Sequence, residues 1–401
     1  MRLLICAGGT GGGVYPALAV LKALGNDDAR ARKRQEPGGA AGFPDISRSS
    51  GGDLPIEVLW VGSEAGMEAD LVKREGIQFK AIPTAGVHGV GLRALPNNLW
   101  KLWRGLLAAR KVLREFKPEV MLFTGGYVAV PVAVAARTPG LGVPRPASLL
   151  FVPDIEPGLA LKTLARFADR IALSVQESQN FFPRNRRIAV TGYPTRLDLM
   201  SWTLEEARQA LGLSPEIPTL LVTGGSSGAR SINRAFLAIL PELLPEMQIV
   251  HISGNLDWPE VQAAQARLEP ELALRYHAYP YLHGEMGAAM MAADLAVSRA
   301  GASALGDYPL FGLPAILVPY PYAWRYQRVN ALYLEERGAA VIVEDAELNE
   351  RLLPAIRNLM RTGSRRTAMR EAMQSLAQPQ AADSIAGLVY EMASQTAQER
   401  K

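Results

Sequence analysis

Cysteine is almost absent from the sequence, since Cys6 is the only one among 401 residues. One cysteine excludes a disulfide within the chain and a cysteine-based metal site, and it favours a reducing compartment. No apolar run reaches the ~20 residues that cross a bilayer. Residues 1–7 lead directly into a glycine loop, which indicates a strand rather than a signal peptide.

Two common nucleotide-binding signatures are also missing. No glycine loop has the GxGxxG spacing with an acidic residue about 20 positions further on, and none ends in GK[ST], which disfavours NAD and ATP. The formal net charge is only +4, so the composition does not imply nucleic acid but is compatible with an anionic substrate or membrane surface. We therefore predict no cofactor, no metal and no nucleic-acid partner.

The composition is that of a globular protein, with 48% hydrophobic and 20% charged residues. A chain of this length suits two domains. Apolar strand patterns alternate with helical ones in both halves, which predicts an α/β protein with two parallel-sheet domains. Ligands of such sheets sit at the carboxyl ends of the strands, so we expect the two domains to face each other across a cleft that holds the site.

Three glycine-rich loops each follow an apolar run and precede a helical one. They are GGTGGG (8–13), TGGY (124–127) and GGSSG (224–228). Glycines let the backbone approach a ligand closely, and the N–H groups of a new helix attract phosphate. The loops therefore predict a nucleotide-sugar donor in one domain and a second phosphorylated substrate in the other.

Two further segments stand out. Residues 26–55 are rich in Gly, Arg, Ser and Asp without periodicity, which predicts a flexible insertion. Leu95, Leu99, Leu102, Trp103 and Leu106 lie at helical spacing, with Trp100 beside them and basic residues flanking them. Such a helix either docks on an anionic bilayer or faces a core with charged edges.

Taken together, the segments GGTGGGVYPALAV, TGGYVAVP, GGSSGARSIN, ADLAVSRAGASALGD, GLPAILVPYP and QRVNAL resemble the MurG family, within glycosyltransferase family 28. The resemblance spans nearly the whole chain apart from residues 26–55. It implies the GT-B fold, with two Rossmann-like domains, and an inverting N-acetylglucosaminyltransferase of peptidoglycan (cell wall) synthesis. Such enzymes move N-acetylglucosamine from UDP-N-acetylglucosamine to lipid I, a polyprenyl-pyrophosphate-linked acceptor, and so form lipid II. They are peripheral proteins of the cytoplasmic face of the cell membrane.

The resemblance also implies a domain plan. Residues 1–192 would form the acceptor-binding domain, with the insertion at 26–55, and residues 193–376 would form the UDP-sugar-binding domain. Residues 377–401 would form a C-terminal helix that packs back on the N-terminal domain.

Site residues follow from the resemblance position by position. In the implied donor site, the serines and glycines hold the UDP phosphates, Asp307 replaces a family glutamate that binds the ribose, and Leu282 or the adjacent His283 borders the uracil. The implied donor residues are Arg196, Gly225, Ser226, Ser227, Gly228, Leu282, Asp307, Gln327 and Asn330. The implied acceptor-pyrophosphate residues are Thr10, Gly11, Gly12, Gly13, Gly125, Gly126 and Tyr127. The implied membrane residues are Leu99, Trp100 and Trp103.

This sequence departs from the family pattern at the positions that the resemblance places near the reacting groups. The family loop ends GGTGGH, and its histidine, the usual candidate for the general base, is here Gly13, which cannot take a proton. The asparagine of a family EQN motif is Asp154. We predict Asp154 or His88 as the replacement base. The alternatives are a helix N-cap or solvated turn for Asp154 and an ordinary loop position for His88.

Three hypotheses about function remain. The favoured one is a divergent UDP-sugar transferase that acts on a polyprenyl-linked acceptor, with a changed sugar or acceptor as a variant of it. The second is a binding or scaffold protein without turnover, which Gly13 supports. The third is a UDP-N-acetylglucosamine epimerase, which the aromatic helix disfavours because an epimerase needs no membrane.

Overall fold

The computed structural model describes residues 1–8, 11–35, 56–63, 68–84, 95–138, 140, 142, 144–225, 228–322 and 326–399. The chain divides into two compact units. Unit 1 comprises Met1–Pro153, Pro157–Pro194 and Gln380–Lys401, and unit 2 comprises Asp154–Glu156 and Thr195–Pro379.

Unit 1 is built on a parallel sheet, which has seven strands within the described residues. They are β1 (Arg2–Cys6), β2 (Glu57–Ser63), β3 (Gln78–Ile82), β4 (Val120–Phe123), β5 (Ala147–Val152), β6 (Arg170–Leu173) and β7 (Ile188–Val190). Their order is β3-β2-β1-β4-β5-β6-β7. The connections run in opposite directions from β1 and β4, so a crevice opens at the carboxyl ends of these two strands.

Helices pack around this sheet. The described helices of this part of the chain are α1 (Gly11–Gln35), α2 (Glu68–Arg74), α3 (Leu95–Phe116), α4 (Ala129–Arg137) and α5 (Leu159–Leu164), and Gln176–Phe181 forms a 3-10 helix. All four residues of β4 are buried, as expected for a strand covered on both faces. That is why the central strands read as unbroken apolar runs.

Helix α1 extends into the segment that the sequence predicts as an insertion. The expected start of irregular chain at residue 26 is wrong, because α1 continues to Gln35. Residues 27–34 are mostly Ala, Arg, Lys and Asp, and Ala, Arg and Lys are good helix formers even where no apolar period marks a helix. The rest of the predicted insertion, 36–55, lies outside the described residues.

Unit 2 is built on a second parallel sheet, with six strands in the part that is described. They are β8 (Thr219–Thr223), β9 (Gln248–Ile252), β10 (Tyr276–Tyr279), β11 (Leu295–Ser298), β12 (Ala315–Leu317) and β13 (Ala340–Ile342). Their order is β10-β9-β8-β11-β12-β13. The direction of the connections reverses between β8 and β11, which places a second crevice after β8.

The described helices of unit 2 surround this sheet. They are α6 (Leu204–Leu211), α7 (Arg230–Leu243), α8 (Trp258–Gln265), α9 (Pro270–Ala273), α10 (Met286–Ala292), α11 (Asp307–Phe311), α12 (Tyr326–Glu336), α13 (Leu348–Arg361) and α14 (Gly363–Ser375). Short 3-10 helices cover Leu197–Ser201, Ala302–Leu305 and Asp345–Glu347. Helix α7 buries Ile232, Phe236, Ile239 and Leu243, which lie on one face at helical spacing. This face holds the start of α7 at the end of β8.

The last helix, α15 (Ala381–Glu399), belongs to unit 1. The Tyr390 hydroxyl donates a 3.0 Å hydrogen bond to the Leu24 carbonyl of α1, and Arg170 forms an ion pair with Glu391.

Within the described residues, no helix is both long and apolar enough to cross a membrane. The prediction of two parallel-sheet domains is confirmed.

Candidate functional site

The two glycine loops of unit 1 meet because β1 and β4 are paired neighbours. Gly126 has a φ of +85°, and a Cβ at this position would lie 2.7 Å from the Gly8 carbonyl oxygen. Only glycine permits this contact between the two loops. The Thr124 hydroxyl also donates a 2.6 Å hydrogen bond to the Gly13 carbonyl. The predicted acceptor residues that are described therefore share one sheet edge, whereas Thr10 lies outside the described residues.

Gly11, Gly12 and Gly13 form the first turn of α1. The first N–H groups of a helix have no partner within it, so this turn presents donors to an anion. Gly13 is buried, and a Cβ placed on it would lie 3.4 Å from the Thr124 carbonyl oxygen. Tyr127 is about half exposed on the neighbouring loop. The edge can thus bind phosphate, but Gly13 brings no side chain for proton transfer.

A buried carboxylate that the sequence did not single out supports the first glycine loop. Glu68 is fully buried, and its Oε1 accepts 2.8 Å hydrogen bonds from both the backbone N–H and the hydroxyl of Ser63. A Cβ on Gly8 would lie 2.6 Å from this same oxygen. Its other oxygen, Oε2, has no partner within the described residues. An acidic residue at a helix start usually reads as a surface position, so no sequence signal marked it.

The glycine loop of unit 2 joins β8 to α7. Gly228 has a φ of +74°, and a Cβ there would lie 2.5 Å from the Ser253 carbonyl oxygen. Its N–H donates to the Gly225 carbonyl at 3.0 Å, which closes the turn. No side chain caps the start of α7, so its first N–H groups point out of the helix at the place where an anion would bind. The predicted donor residues Ser226 and Ser227 lie outside the described residues.

A buried polar network supports the glycine loop between β8 and α7. His251 is fully buried between the hydroxyl of Tyr276, 2.7 Å from Nδ1, and Oδ1 of Asn233, 3.0 Å from Nε2. The Asn233 amide donates in turn to the Ser253 carbonyl and to Asp257, both at 2.8 Å. Burial lowers the pKa of His251 to about 3, so the ring is neutral. Nε2 then carries the proton that Asn233 accepts, and Nδ1 accepts from Tyr276.

An arginine follows β11 beside the same helix start. Arg299 donates to Asp345 at 2.5 Å and to the Ser231 hydroxyl at 2.7 Å, and its guanidinium lies 5.1 Å from the centre of the Tyr320 ring. Ser231 is in the first turn of α7. The network therefore places a cation close to the helix start, although its charge is largely matched by Asp345.

Asp307 lies at the start of α11. Its Oδ1 accepts a 2.9 Å hydrogen bond from the Thr195 hydroxyl. Burial raises the pKa of Asp307 to about 6, against the opposing effects of the Thr195 hydrogen bond and the nearby Arg196. Thus Thr195, Arg196 and Asp307 lie together in unit 2. Thr195 is a residue that the sequence did not predict.

Asp154 and Asn330 form a second polar centre in unit 2. The Asn330 amide donates to Asp154 Oδ1 at 2.8 Å and to the Ala300 carbonyl at 3.1 Å, and its Oδ1 accepts from the Ile155 N–H at 3.1 Å. Both N–H groups of Asn330 are therefore engaged. Burial raises the pKa of Asp154, although the hydrogen bond from Asn330 opposes this effect.

The N-cap alternative for Asp154 is wrong. The N-cap of α5 is Gly158, which has no side-chain capping bond, and the Asp154 carboxylate instead contacts a side chain 176 positions away. The competing candidate for the base, His88, lies outside the described residues.

The remaining donor candidates lie on loops and helix starts of the same unit. Gln327 is in the first turn of α12, and its Oε1 accepts a 2.9 Å hydrogen bond from the Tyr320 N–H. Leu282 is buried, and beside it the rings of Tyr281 and His283 lie 4.7 Å apart. Aromatic rings next to an apolar side chain suit a flat nucleobase.

Helix α3 carries an exposed aromatic pair, Trp100 and Trp103, whose side chains are 56% and 51% exposed. Their rings stack at 4.9 Å, and Leu107 continues the apolar surface one turn later. The side chain of Leu99, the third predicted membrane residue, lies outside the described part of the structure. The core-facing alternative is wrong for the two tryptophans.

Comparison with known proteins adds to this geometry. Residues 53–173 match the glycosyltransferase family 28 N-terminal domain, and residues 219–385 match the C-terminal domain of that family. A relative from Roseiflexus sp. (strain RS-1) is 42% identical over 97% of this chain and 94% of its own. Its name is UDP-N-acetylglucosamine--N-acetylmuramyl-(pentapeptide) pyrophosphoryl-undecaprenol N-acetylglucosamine transferase. The chain belongs to the MurG family of glycosyltransferases.

Solved structures agree with this membership. A crystal structure of MurG from Acinetobacter baumannii matches with a TM-score of 0.69 and 25% identity, and the match covers 97% of this chain and 99% of that one. The predicted MurG resemblance and the GT-B fold class are therefore confirmed. A UDP-GlcNAc 2-epimerase from Neisseria meningitidis, crystallised with UDP-GlcNAc, has a TM-score of 0.65 at 13% identity over 98% of this chain and all of that one. At that identity the match shows a shared fold alone.

Proposed function

We propose that the protein transfers N-acetylglucosamine from UDP-N-acetylglucosamine to a polyprenyl-pyrophosphate-linked acceptor, the step that converts lipid I to lipid II. The observation that carries the proposal is the 42% identity, over 97% of the chain, to a relative with that name. The glycine loops support it, because each of the two sheets has a glycine-rich turn at its topological switch point, where α/β sheets bind their ligands.

The donor is held in unit 2 in this proposal. The loop of Gly225, Ser226, Ser227 and Gly228 and the uncapped start of α7 would bind the diphosphate. The unpaired N–H groups at the start of α7 carry a partial positive charge. This charge stabilises the UDP leaving group as negative charge builds on its phosphate.

The rest of the nucleotide would contact neighbouring loops of unit 2. Asp307, oriented by Thr195, accepts the ribose hydroxyls, while Arg196 approaches the phosphates and Leu282 borders the uracil. Gln327 contacts the sugar from the start of α12.

The resemblance implies that Asn330 contacts the donor, but in this proposal it has a different role. Both of its N–H groups are already used, for Asp154 and Ala300. It therefore positions the Asp154 carboxylate, which serves as the general base in place of the family histidine that is absent at Gly13. Because burial raises the pKa of Asp154, its affinity for a proton is closer to that needed at neutral pH. Asp154 would take the proton of the acceptor hydroxyl as that oxygen attacks the anomeric carbon, with inversion.

The acceptor pyrophosphate is held in unit 1 in this proposal. Residues 10–13 at the start of α1 and residues 125–127 after β4 share one sheet edge, which suits a diphosphate. The domain plan follows as a proposal, with acceptor binding in residues 1–192, donor binding in residues 193–376, and a C-terminal helix, 377–401, that returns to the first domain.

Membrane attachment is also proposed, at the cytoplasmic face and without a spanning segment. The supporting observation is the exposed pair of Trp100 and Trp103, with Leu107 beside it. Tryptophans of this kind insert at the headgroup level of a bilayer. Lys101 and Arg104 lie between and beside them in the sequence, and they would contact anionic lipids.

The test is a transfer assay with UDP-N-acetylglucosamine and lipid I, compared between wild type, Asp154→Asn and Gly13→His. Asparagine at position 154 can still accept the Asn330 hydrogen bond, so we expect intact donor binding with kcat reduced about 10²–10⁴-fold. Unchanged kcat in Asp154→Asn would exclude Asp154 as the base. Turnover in the wild type separates an enzyme from the scaffold hypothesis, which Gly13 favours and which predicts donor binding without transfer.

Gly13→His tests whether the missing histidine limits the reaction. A Cβ at this position would meet its nearest neighbour, the Thr124 carbonyl oxygen, at 3.4 Å, an ordinary contact, so the first side-chain atom fits. We expect this variant to restore most of the rate lost in Asp154→Asn when the two changes are combined. No rescue in the combined variant would show that position 13 is remote from the reacting hydroxyl.

A further inference from the structure

A cavity of about 310 Å³ lies in unit 1, away from both glycine loops. Arg145 lies two residues before β5, Arg170 is the first residue of β6, and Arg187 directly precedes β7. Because β5, β6 and β7 are parallel, these residues meet at the amino edge of the sheet. Met392 and Thr396 of α15 complete the lining. The glycine loops follow the carboxyl ends of strands, so the cavity lies at the opposite edge.

The lining carries an excess of positive charge. Three guanidinium groups, those of Arg145, Arg170 and Arg187, face one carboxylate, that of Asp169. Two further groups touch the lining. Glu391 binds Arg170 through two hydrogen bonds of 2.6 and 2.5 Å, and Arg137 contacts Asp169 at 3.0 Å. Since these additions are one negative and one positive charge, the excess of two positive charges is unchanged.

The guanidiniums are not all neutralised by partners. Within the described residues, the Arg187 side chain is exposed and has no hydrogen bond or ion pair. Its charge nevertheless acts on this site, since it adds to the effect of Arg170 in lowering the pKa of Glu391. Arg145 uses only Nη2, which contacts Asp169 at 2.7 Å. Two arginines therefore retain N–H donors for a ligand.

We propose that this cavity binds a doubly charged phosphate group, either of a soluble phosphomonoester or of a lipid headgroup. A charge of minus two matches the excess of the lining, and guanidinium forks suit phosphate oxygens through paired hydrogen bonds. The volume is at the small end of ligand pockets, which fits a phosphate with a small attached group. This site is separate from sugar transfer and does not depend on it.

The cavity also has a consequence for α15. A phosphate bound to Arg145 and Arg187 would sit between the sheet edge and the helix that carries Met392. Ligand binding to the folded state alone raises stability in proportion to the logarithm of ligand concentration. We therefore expect phosphate to protect the C-terminal helix from local unfolding.

The test is NMR of the full-length protein labelled with 13C at the methionine methyl groups, titrated with inorganic phosphate and with glycerol phosphate. Met392 lines the cavity, and its signal is assigned from Met392→Leu. We expect a saturable shift of that signal. In Arg187→Gln and in Arg145→Gln, the dissociation constant rises about tenfold or more, as for the loss of a charge-assisted hydrogen bond.

The matched control is Arg184→Gln, which removes the same charge from an exposed position three residues away that does not line the cavity. It should bind phosphate as the wild type does. An unmoved Met392 signal at millimolar phosphate, or equal weakening in Arg184→Gln and Arg187→Gln, would overturn the proposal.

A parallel experiment identifies the source of the phosphate, using sedimentation with phosphatidylcholine vesicles that contain phosphatidic acid. Loss of vesicle binding in Arg187→Gln but not in Arg184→Gln supports the site and assigns it to a headgroup. Equal vesicle binding in all three proteins, together with the Met392 shift on soluble phosphate, supports the site and assigns it to a soluble phosphomonoester.

Discussion

The proposed contact between the Asp307 carboxylate and the donor ribose predicts that donor binding depends on pH. Burial places the pKa of Asp307 at about 6, compared with an ordinary value of 3.8. If only the carboxylate accepts the two ribose hydroxyls well, protonation removes the binding-competent form. The competent fraction is about one tenth at one pH unit below the pKa, so the affinity for UDP-N-acetylglucosamine falls about tenfold from about pH 8 to about pH 5.

The stability of the folded protein should depend on pH in the opposite direction to donor affinity. A carboxyl whose folded-state pKa is raised favours the folded state fully below 3.8, and this contribution is lost as the pH rises through about 6. Compared with the protonated group, the ionised group lowers the free energy of unfolding by ~3 kcal/mol. Asp307→Asn removes that charge and keeps an oxygen for Thr195. We expect the nucleotide-free variant to be ~1–3 kcal/mol more stable than the wild type at about pH 8, with little difference near pH 4.

The assay is calorimetric titration with UDP-N-acetylglucosamine, paired with chemical denaturation at each pH. The nucleotide sugar is preferred to UDP, because the terminal phosphate of UDP itself titrates near pH 6. Asp307→Asn should bind ~10- to 100-fold more weakly, as expected for loss of hydrogen bonds to a charged group, and without the pH dependence. Glu336→Gln removes an exposed charge from the same unit and should change neither quantity. An affinity in the wild type that is constant from about pH 5 to about pH 8 would refute the reasoning.

Three shorter predictions concern the glycine loop between β8 and α7, the buried network of His251 that supports this loop, and the aromatic pair of Trp100 and Trp103. Gly225 and Gly228 both have a positive φ, of +80° and +74°, so alanine strains the backbone at either position, but only at Gly228 does the new Cβ also lie 2.5 Å from the Ser253 carbonyl oxygen. Calorimetry should therefore show a greater loss of donor affinity in Gly228→Ala than in Gly225→Ala. Tyr276→Phe leaves His251 Nδ1 without its donor and should lower the free energy of unfolding by ~1–3 kcal/mol in urea, unlike Tyr322→Phe, whose side chain is 83% exposed. Serine in place of both tryptophans of the aromatic pair should reduce sedimentation with anionic vesicles without changing kcat on a detergent-solubilised acceptor; unchanged sedimentation would contradict the membrane proposal.

Local sequence patterns predict most of the fold. Buried strands such as β4 and β8 are short apolar runs next to glycine turns, so strand, loop and helix follow from neighbouring residues. The end of α1 could not be predicted, because its last turns are polar and have no apolar period. The strand orders, which bring the loops after β1 and β4 together, follow from pairing between distant segments.

The candidate site was less predictable than the fold, because its contacts join distant parts of the chain. The sequence predicts Asp154 as a possible base, but its partner Asn330 is 176 positions away. No local pattern tells a capping aspartate from one fixed by a distant amide. For the same reason, no local pattern predicts Thr195 beside Asp307 or Glu68 beside Gly8. The amino-edge cavity unites residues from three strand starts and a helix more than 200 positions later.

The membership of α15 in unit 1 affects how the protein is made. Ile385, Ala386 and Val389 are fully buried, so the helix is part of the core of a unit whose other segments end by residue 194. Synthesis proceeds from the N-terminus, and domains tend to fold as they emerge. The first unit therefore keeps an uncovered apolar face until α15 has been translated. A nascent or truncated chain that lacks α15 exposes this face to chaperones and proteases, and the first unit is completed only after unit 2 has been translated.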